Sequence, residues 1–500
     1  MEKQYALGID IGTTAVKVLL ISQDGRLVCE LSRPHDLISL HTGWAEEKPE
    51  IWWENVVSAL RELTMRCQEE ASQIAAIGVS GMVPALVFLD SEGKVLRNSI
   101  QQNDARCVEE IREVRESILQ KELFERTGGY TNQQHFLPRL LWVLRHEPEI
   151  MEKTAHIVGS YDYITWRLTG VLQVEKNFAV ESGLYDIRNN NWIPEYLEPF
   201  GIKQEILPEV NDSTKIVGFT RDLSKEMGLP DGIPVIAGSA DHVASALACG
   251  MTREGKLLVK FGGAGDILYC VDQIQPVSCL FWDEHVIPGK YLINGCTATS
   301  GSLLKWVIRK LFADPDEDAF QKYDRLAETV PAGSHGLVML PYFLGEKTPL
   351  FDPEAGGTLV GLKLSHTRED IYHAALEAVV YSFRHHLEVL QEAGFCPVSV
   401  AASDGGARSP LWCQITANAL KRPVRACVSH PGSALGVAYT AGMAAGLFPD
   451  WDGVERFLGE YRDYLPDKEA GATYDKAYGI YRDLYAALKD ADVFHHIAEL

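Results

Sequence analysis

Several features that mark other classes of protein are missing from this sequence of 500 residues. No run approaches the roughly 18 uncharged apolar residues that predict a membrane helix. The ten cysteines never form a C-x-x-C pair, so the common zinc and dithiol motifs are excluded. The first stretch, MEKQYALGIDIGTTAVKVLL, has no signal-peptide shape, and we therefore expect a cytoplasmic protein.

Basic residues are also scarce relative to acidic ones. The chain has 69 acidic and 47 basic side chains, which leaves a formal net charge of −22. Such a surface repels phosphate backbones and anionic lipids, so neither nucleic acid nor a membrane is expected as a partner. The length exceeds the size at which a single core stops growing, which predicts two large domains. We expect these domains to be residues 1–250 and 251–500, with the boundary near Gly250.

Two distant stretches repeat the order strand, glycine turn, strand. The first runs from Tyr5 through the turn at residues 10–14 into a strand that ends near Ile21, and the second is KLLVKFGGAGDILYCV at residues 256–271. This repetition indicates an internal duplication. An amphipathic helix after Pro49 and two strands that follow it predict a mixed α/β architecture. Two further helices are predicted near the end of the chain, SPLWCQITANALK and SALGVAYTAGMAAG.

The turns carry side chains and amides suited to phosphate chemistry. Phosphoryl transfer needs donors around the phosphates, a metal near the β- and γ-oxygens, and a base beside the attacking hydroxyl. The turn from Asp10 to Thr14 offers amides and two hydroxyls for a phosphate and a carboxylate for hydrated magnesium, although the same residues also make ordinary hairpin turns. No G-x-x-x-x-G-K-[ST] motif occurs, which excludes a P-loop enzyme.

Two later glycine turns and one aspartate complete the set of candidates. The turn around Gly262 and Gly263 would bind a β-phosphate through its backbone, and the turn around Gly406 would let adenosine lie against the backbone; each is also compatible with a plain bend. Asp241 ends an apolar strand at the expected domain junction, where a cleft would open. It is a candidate general base, and its alternative role is to cap the helix that follows.

Taken together, these stretches resemble the FGGY family of carbohydrate kinases, and its xylulokinase branch most closely. The most specific match is the family's C-terminal signature: GTLVGL at residues 357–362, then Asp370-Ile371 and the run from Ala374 to Glu377. The resemblance extends from GIDIGTT, which begins at Gly8, to Gly446. It implies an α/β fold of two actin-like (ribonuclease H-like) domains with an interdomain cleft, as in the sugar kinase/hexokinase/actin superfamily.

The resemblance also implies roles for individual residues. Asp241 matches the base that deprotonates the attacking hydroxyl, Asp10 matches the carboxylate that orients Mg²⁺, and His242 matches a substrate-contacting side chain. Asp104 is a further candidate for the sugar. The nucleotide contacts of ATP, the co-substrate, map onto Thr13, Thr14, Gly262, Gly263, Gly301, Lys305, Gly406 and Ala407. Homodimers are common in the family.

Three departures from the family pattern bear on the substrate and the nucleotide. Val83-Pro84 stands where xylulokinases have a sugar-contacting Met-His pair, so a hydrogen-bond donor of the sugar pocket is lost. Gly263 replaces a threonine in the β-phosphate turn, which removes a hydroxyl. Arg139 stands where lysine is usual. A pocket built to hydrogen-bond one hydroxyl can reject a substrate without it by a factor of about 10⁴, so these changes can redirect specificity.

We therefore expect an ATP-dependent kinase that phosphorylates a hydroxyl of a small neutral ketose, first of all a pentulose such as xylulose or ribulose. The alternatives are a kinase of a polyol or hexulose and a non-catalytic sugar or nucleotide sensor on the same fold. An ATPase of the actin or chaperone type is a third class, which the C-terminal sugar-kinase signature opposes.

Overall fold

Short apolar runs separated by glycine turns form the strands of this protein. The computed structural model describes residues 3–222, 224–428 and 432–499. In these ranges the strands are β1 (Tyr5–Ile11), β2 (Ala15–Ser22), β3 (Leu27–Pro34), β4 (Glu46–Glu47), β5 (Ile74–Gly81), β6 (Val87–Leu89), β7 (Ser99–Ile100), β8 (His156–Val158), β9 (Val174–Glu175), β10 (Tyr185–Asp186), β11 (Asn191–Trp192), β12 (Val210–Asn211), β13 (Ile216–Phe219), β14 (Pro234–Ile236), β15 (Ser239–Ala240), β16 (Lys256–Phe261), β17 (Gly265–Val271), β18 (Phe281–Glu284), β19 (Tyr291–Thr297), β20 (Val338–Leu340), β21 (Thr358–Val360), β22 (Ser399–Ser403), β23 (Val424–Cys427) and β24 (Tyr461–Tyr464).

The helices follow the amphipathic segments between these strands. They are α1 (Pro49–Arg66), α2 (Gln68–Ala71), α3 (Val108–Ser117), α4 (Gln120–Thr127), α5 (Phe136–His146), α6 (Pro148–Lys153), α7 (Ser160–Thr169), α8 (Lys176–Val180), α9 (Ser224–Met227), α10 (Asp241–Ala248), α11 (Gly301–Trp306), α12 (Ala319–Ala327), α13 (Arg368–Glu392), α14 (Pro410–Leu420), α15 (Ser433–Ala444), α16 (Lys468–Asp490) and α17 (Val493–Ala498). None of them, within the ranges just given, is both long enough and apolar enough to cross a membrane.

Two large mixed sheets share one topology. The first sheet has the order β13-β14-β5-β1-β2-β3, and the second has the order β18-β19-β17-β16-β22-β23-β24. In each, the opening hairpin is antiparallel, β1 with β2 and β16 with β17, and its first strand then pairs in parallel with a later strand, β5 or β22. This agreement is what the predicted duplication requires, and it places the two glycine turns at equivalent ends of equivalent hairpins.

Two hydrophobic cores support the sheets, and the first also takes in Leu258, Leu268 and Leu292 from one face of the second sheet. The first core packs α1 against the first sheet through the face that carries Trp52, Val56 and Leu60, as the helical spacing predicts. The second core packs α13, α14 and α16 against the second sheet. Burial of these apolar faces fixes both sheets, so the hairpin ends that carry the turns are held in place.

Helix α15 crosses from the second half of the chain to the first sheet. It packs on β1, β5 and α10, and Leu435 and Tyr439 belong to the first core. The contact is close because glycine stands on both sides of it: a Cβ on Gly8 of β1 would overlap the Ala434 carbonyl, and one on Gly436 would overlap the Ala244 carbonyl. Strand β1 and helix α10, which carry Asp10 and Asp241, therefore have fixed positions on one support.

Candidate active site

The ends of three neighbouring strands bring Asp10 and Asp241 to one region. Asp10 pairs with Ser80 across β1 and β5, and Ser239 of β15 pairs with Ser80 from the other side. The Ser80 hydroxyl donates to Asp10 Oδ1 at 2.8 Å. Asp10 is buried, and burial together with the charge of Asp241 raises its pKa to about 6, although the Ser80 hydrogen bond opposes the shift. The buried Asp10 carboxylate thus feels the charge of a second carboxylate, an arrangement that favours a bound cation.

Asp241 is the first residue of α10, while the N-cap position belongs to Ala240. Its Oδ1 accepts the backbone N–H of His242 at 2.6 Å, and its side chain keeps 31% of its surface exposed. The helix dipole stabilises a carboxylate in the first turn of a helix. The alternative role predicted for Asp241, to cap α10, is therefore supported only to the extent that Asp241 lies in this first turn. The exposed surface also leaves Asp241 open to a ligand, as a base requires.

A cavity of about 340 Å³ lies between the two halves of the chain, within the range of small-molecule sites. Its wall from the first half includes Val83, Gln102, Asn103, Asn132, Gln134, His135, Glu181, Asp241 and His242. Its wall from the second half includes Lys260, Ala264, Asp266, Trp282, Asp283, Asn294 and Lys347. Amides such as those of Gln102, Asn103 and Asn132 supply uncharged polar groups to the wall, and Asp241, Asp283 and Lys260 are among its ionisable groups.

His242 is held between two carboxylates that reasoning from the sequence missed. Its Nε2 lies 3.2 Å from Asp283 Oδ2 and 3.7 Å from Glu181 Oε1, and its Nδ1 lies 3.6 Å from Asp241 Oδ1. Although burial opposes protonation, the charges of Asp283 and Glu181 raise the pKa of His242 well above its ordinary value. These two carboxylates favour the protonated imidazole and orient it beside Asp241. The acidic pair Asp283-Glu284, which directly follows two aromatic residues in strand β18, was the available sequence signal for Asp283.

The predicted sugar-binding residues separate into two groups. Val83 lines the cavity with an apolar side chain, whereas Pro84 and Asp104 are absent from the wall. Asp104 is fully buried, and its oxygens accept from the Ala45 amide at 2.7 Å and from the Arg106 guanidinium at 2.7 and 2.8 Å. Because these partners already use both oxygens, the side chain supports the loop instead of facing the cavity. The preceding residues Gln102 and Asn103 face it.

Arg139 connects the loop that contains Pro84 with the loop that contains Gln102. It is completely buried, and its guanidinium donates to the Pro84 carbonyl at 3.3 Å and to the Gln102 carbonyl at 3.1 Å. Burial lowers its pKa to about 10, so it remains charged. Val83 and Gln102 both line the cavity, and the Arg139 side chain fixes the backbone at both places.

The second turn is supported from α11. The amides of Gly301 and Ser300 donate to the carbonyls of Gly262 and Gly263, each at 2.8 Å. A Cβ on Gly301 would lie 2.8 Å from the Gly262 oxygen, so this close approach requires glycine. The next turn residue, Ala264, faces the cavity, while Lys305 projects from α11 into solvent.

The remaining nucleotide candidates lie outside the cavity wall. Thr13 is half-buried and Thr14 is exposed in the first hairpin turn. Gly406 follows β22, where a Cβ would clash with the ring of Trp412, and Ala407 is buried in the second core. The Ala407 side chain is therefore used in packing, and its neighbourhood offers a nucleotide only backbone and the glycines before it.

Comparison with known proteins agrees with this architecture. The models for the N-terminal and C-terminal domains of the FGGY family of carbohydrate kinases match residues 5–248 and 274–445. The xylulose kinase of Bacillus subtilis is 30% identical over 97% of this chain and 98% of its own.

Solved structures give the same result. The xylulose kinase from Rhodospirillum rubrum is 41% identical, with a TM-score of 0.93 over 98% of this chain and 100% of its own. The gluconate kinase from Lactobacillus acidophilus is 28% identical, with a TM-score of 0.90 over 97% of this chain and 98% of its own. With its two matched domains, its duplicated actin-like sheets and the aspartates at their junction, the chain belongs to the FGGY family of carbohydrate kinases.

Proposed function

We propose that this protein transfers the γ-phosphate of ATP to a hydroxyl of a neutral ketose, with a pentulose such as xylulose as the first candidate. The observation that carries the proposal is the placement of Asp241, a partly exposed carboxylate, on a cavity that the loop of Gln102 and the β-phosphate turn of Ala264 also line. The cavity thus places the uncharged amides of Gln102 and Asn103 on the same wall as the turn proposed to bind phosphate. The alternative substrates are a polyol or a hexulose.

In the proposed reaction Asp241 accepts the proton of the attacking hydroxyl, a contribution of about 10² to 10⁴ in rate for a positioned base. The protonated His242 lies beside it and donates to a hydroxyl of the sugar. Gln102 and Asn103 supply amide donors and acceptors along the chain of the sugar. The backbone amides of the second turn bind the phosphates of ATP, and the glycines around Gly406 accommodate the adenosine.

Asp10 is the residue proposed to hold Mg²⁺. A hard divalent cation prefers oxygen ligands, and the buried Asp10 carboxylate beside Asp241 provides one in a region that lacks charge balance. When bound, Mg²⁺ neutralises charge on the phosphate oxygens. Asp10 must be ionised for this role, so binding weakens as the pH falls below about 6.

The test is a coupled assay of ADP release with MgATP and a panel of pentuloses, hexuloses, linear polyols and gluconate. We expect stimulation by one or two neutral ketoses and loss of turnover in Asp241→Ala, with ATP affinity retained. A matched control is Asp36→Asn, since Asp36 is exposed beyond β3 and should leave turnover unchanged. Stimulation by gluconate alone would refute a neutral substrate, and full turnover of Asp241→Ala would refute the assigned base.

A further inference from the structure

Lys260 is a charged side chain of the cavity that the proposed reaction has not yet used. It lies on β16 directly before the turn at residues 261–265, and it lines the same cavity as Asp241. Its side chain is 14% exposed, so most of it is enclosed by protein. An ammonium in this place must have a counter-charge or a ligand, because burying an isolated charge is costly.

The counter-charges are present, but they lie beyond hydrogen-bonding distance. Nζ is 3.9 Å from Asp266 Oδ2 and 4.0 Å from Asp404 Oδ2. In the part of the chain that the structure describes, Nζ donates no hydrogen bond, whereas the half-buried Lys256 on the same strand contacts Glu455 at 2.8 Å. Although burial opposes protonation, the charges of Asp404, Asp266 and Asp241 raise the pKa of Lys260 above its ordinary value. The ammonium is thus charged and oriented while its three donors stay available.

The turn beside Lys260 contains no side chain that can bind an anion. Its residues are Phe261-Gly262-Gly263-Ala264-Gly265. Packing does not require glycine at Gly263, because a Cβ there would meet nothing within 4 Å and the backbone needs no positive φ. The turn can therefore offer a phosphate only neutral amide donors, and the charge of a phosphoryl group must be balanced from elsewhere.

We propose that Lys260 is a catalytic residue that binds the phosphoryl group as it passes from ATP to the acceptor hydroxyl. The inference rests on the proposed function. The bond between the γ-phosphorus and the bridging oxygen of ADP breaks, the bond between the sugar oxygen and that phosphorus forms, and the hydroxyl proton moves to Asp241. Lys260 keeps its proton and donates to the non-bridging oxygens, where charge is concentrated in the transition state.

The position of Lys260 explains why the turn can lack a hydroxyl at Gly263. The ammonium approaches from the strand that leads into the turn, and it lines the same cavity as Asp241. Asp266 and Asp404 hold it there without occupying its donors. The Lys260 ammonium can therefore bind the anionic phosphoryl group in place of a side chain on the turn.

The first test is Lys260→Met in the coupled assay, with Lys256→Met as the matched control on the same strand. We expect kcat to fall by about 10² to 10³, the usual effect of removing one donor to transition-state charge, and the control to stay within about threefold of the wild type. Adding Gly263→Thr to Lys260→Met should restore at least about tenfold of the loss, because a hydroxyl returns to the turn and the space for it is open. A Lys260→Met enzyme with nearly wild-type kcat would overturn the proposal.

A second measurement separates this proposal from the choice of substrate. ADP with magnesium and aluminium fluoride mimics the phosphoryl group in transit and requires no sugar. Lys260→Met should bind this complex at least tenfold more weakly than the wild type and should bind ADP alone equally well. Equal binding of the complex by both proteins would refute the role of Lys260, even if no sugar on the panel were phosphorylated. If the methionine variant fails to bind ADP, Lys260→Gln, which keeps a polar end of similar length, undergoes the same comparison with the same criteria.

Discussion

Replacement of Asp10 by asparagine should make the protein more stable while it removes activity. Burial and the Asp241 charge raise the pKa of Asp10 from 3.8 to about 6. Since one pKa unit corresponds to 1.36 kcal/mol, ionising Asp10 in the folded state costs about 3 kcal/mol at pH 7. The amide oxygen of asparagine can still accept the Ser80 hydroxyl, so the substitution removes the charge and retains the hydrogen bond.

The sign of the pH dependence follows from linkage. Because the folded state binds the Asp10 proton more tightly than the unfolded chain, the wild type loses stability as the pH rises through the window from 3.8 to about 6. The advantage of Asp10→Asn should therefore be about 3 kcal/mol at pH 7, about half of that at pH 5, and small at pH 4. Turnover with MgATP should fall at least about 100-fold, since the proposed magnesium ligand is lost.

The assay is urea unfolding in EDTA at these three pH values, with Asp36→Asn as a control that changes the same charge at an exposed site. The reasoning is refuted if Asp10→Asn is less stable than the wild type at pH 7, or if its advantage does not change with pH. Either outcome would mean that the Asp10 carboxylate is better solvated or better paired than its burial beside Asp241 indicates.

Three further perturbations test other parts of the site. Arg139→Met should raise the KM for the sugar about tenfold and leave the KM for ATP unchanged, because the loops of Pro84 and Gln102 lose two hydrogen bonds from a charged donor. Steady-state kinetics measures both constants, and an equal rise of the two would contradict the prediction. Asp283→Asn should lower the pKa of His242, because the substitution removes a carboxylate that lies 3.2 Å from its Nε2. The value of kcat/KM for the sugar should then begin to fall with rising pH near neutrality, as His242 loses its proton. A pH profile identical to that of the wild type would oppose the role given to His242. Gly436→Ala should lower the free energy of unfolding by about 1 to 3 kcal/mol through overlap with the Ala244 carbonyl, as measured by urea titration, whereas an unchanged value would show that α15 can shift away.

Local patterns were sufficient to predict most of the elements that carry the site. The predicted strand from Tyr5 and its partner after the glycine turn are β1 and β2, and the repeat at residues 256–271 is β16 and β17. The helices predicted around Trp412 and Leu435 are α14 and α15. These predictions succeed because period, glycine turns and small-residue helices depend on neighbours in sequence.

The composition of the cavity could not be predicted in the same way. Glu181 comes from a distant segment of the first half and Asp283 and Lys260 come from the second half, so only the tertiary fold brings these three residues to the cavity of Asp241. Asp104 shows the converse: the residue matches a family pattern, but its oxygens are used by the Ala45 amide and a neighbouring arginine, which depends on tertiary contacts. The sequence therefore identifies the kinds of group at the site better than it identifies which of them face the ligand.

Because helix α15 belongs to the first core, that core cannot be completed until the helix has been synthesised. The first core needs Leu435 and Phe457, so it stays incomplete after residue 250 has left the ribosome. At roughly 5–20 residues per second, making residues 251–457 takes about 10 to 40 s. Throughout this time the face of β1 around Gly8 is not covered by α15. The nascent first half therefore exposes apolar surface of its core until nearly all of the second half has been made.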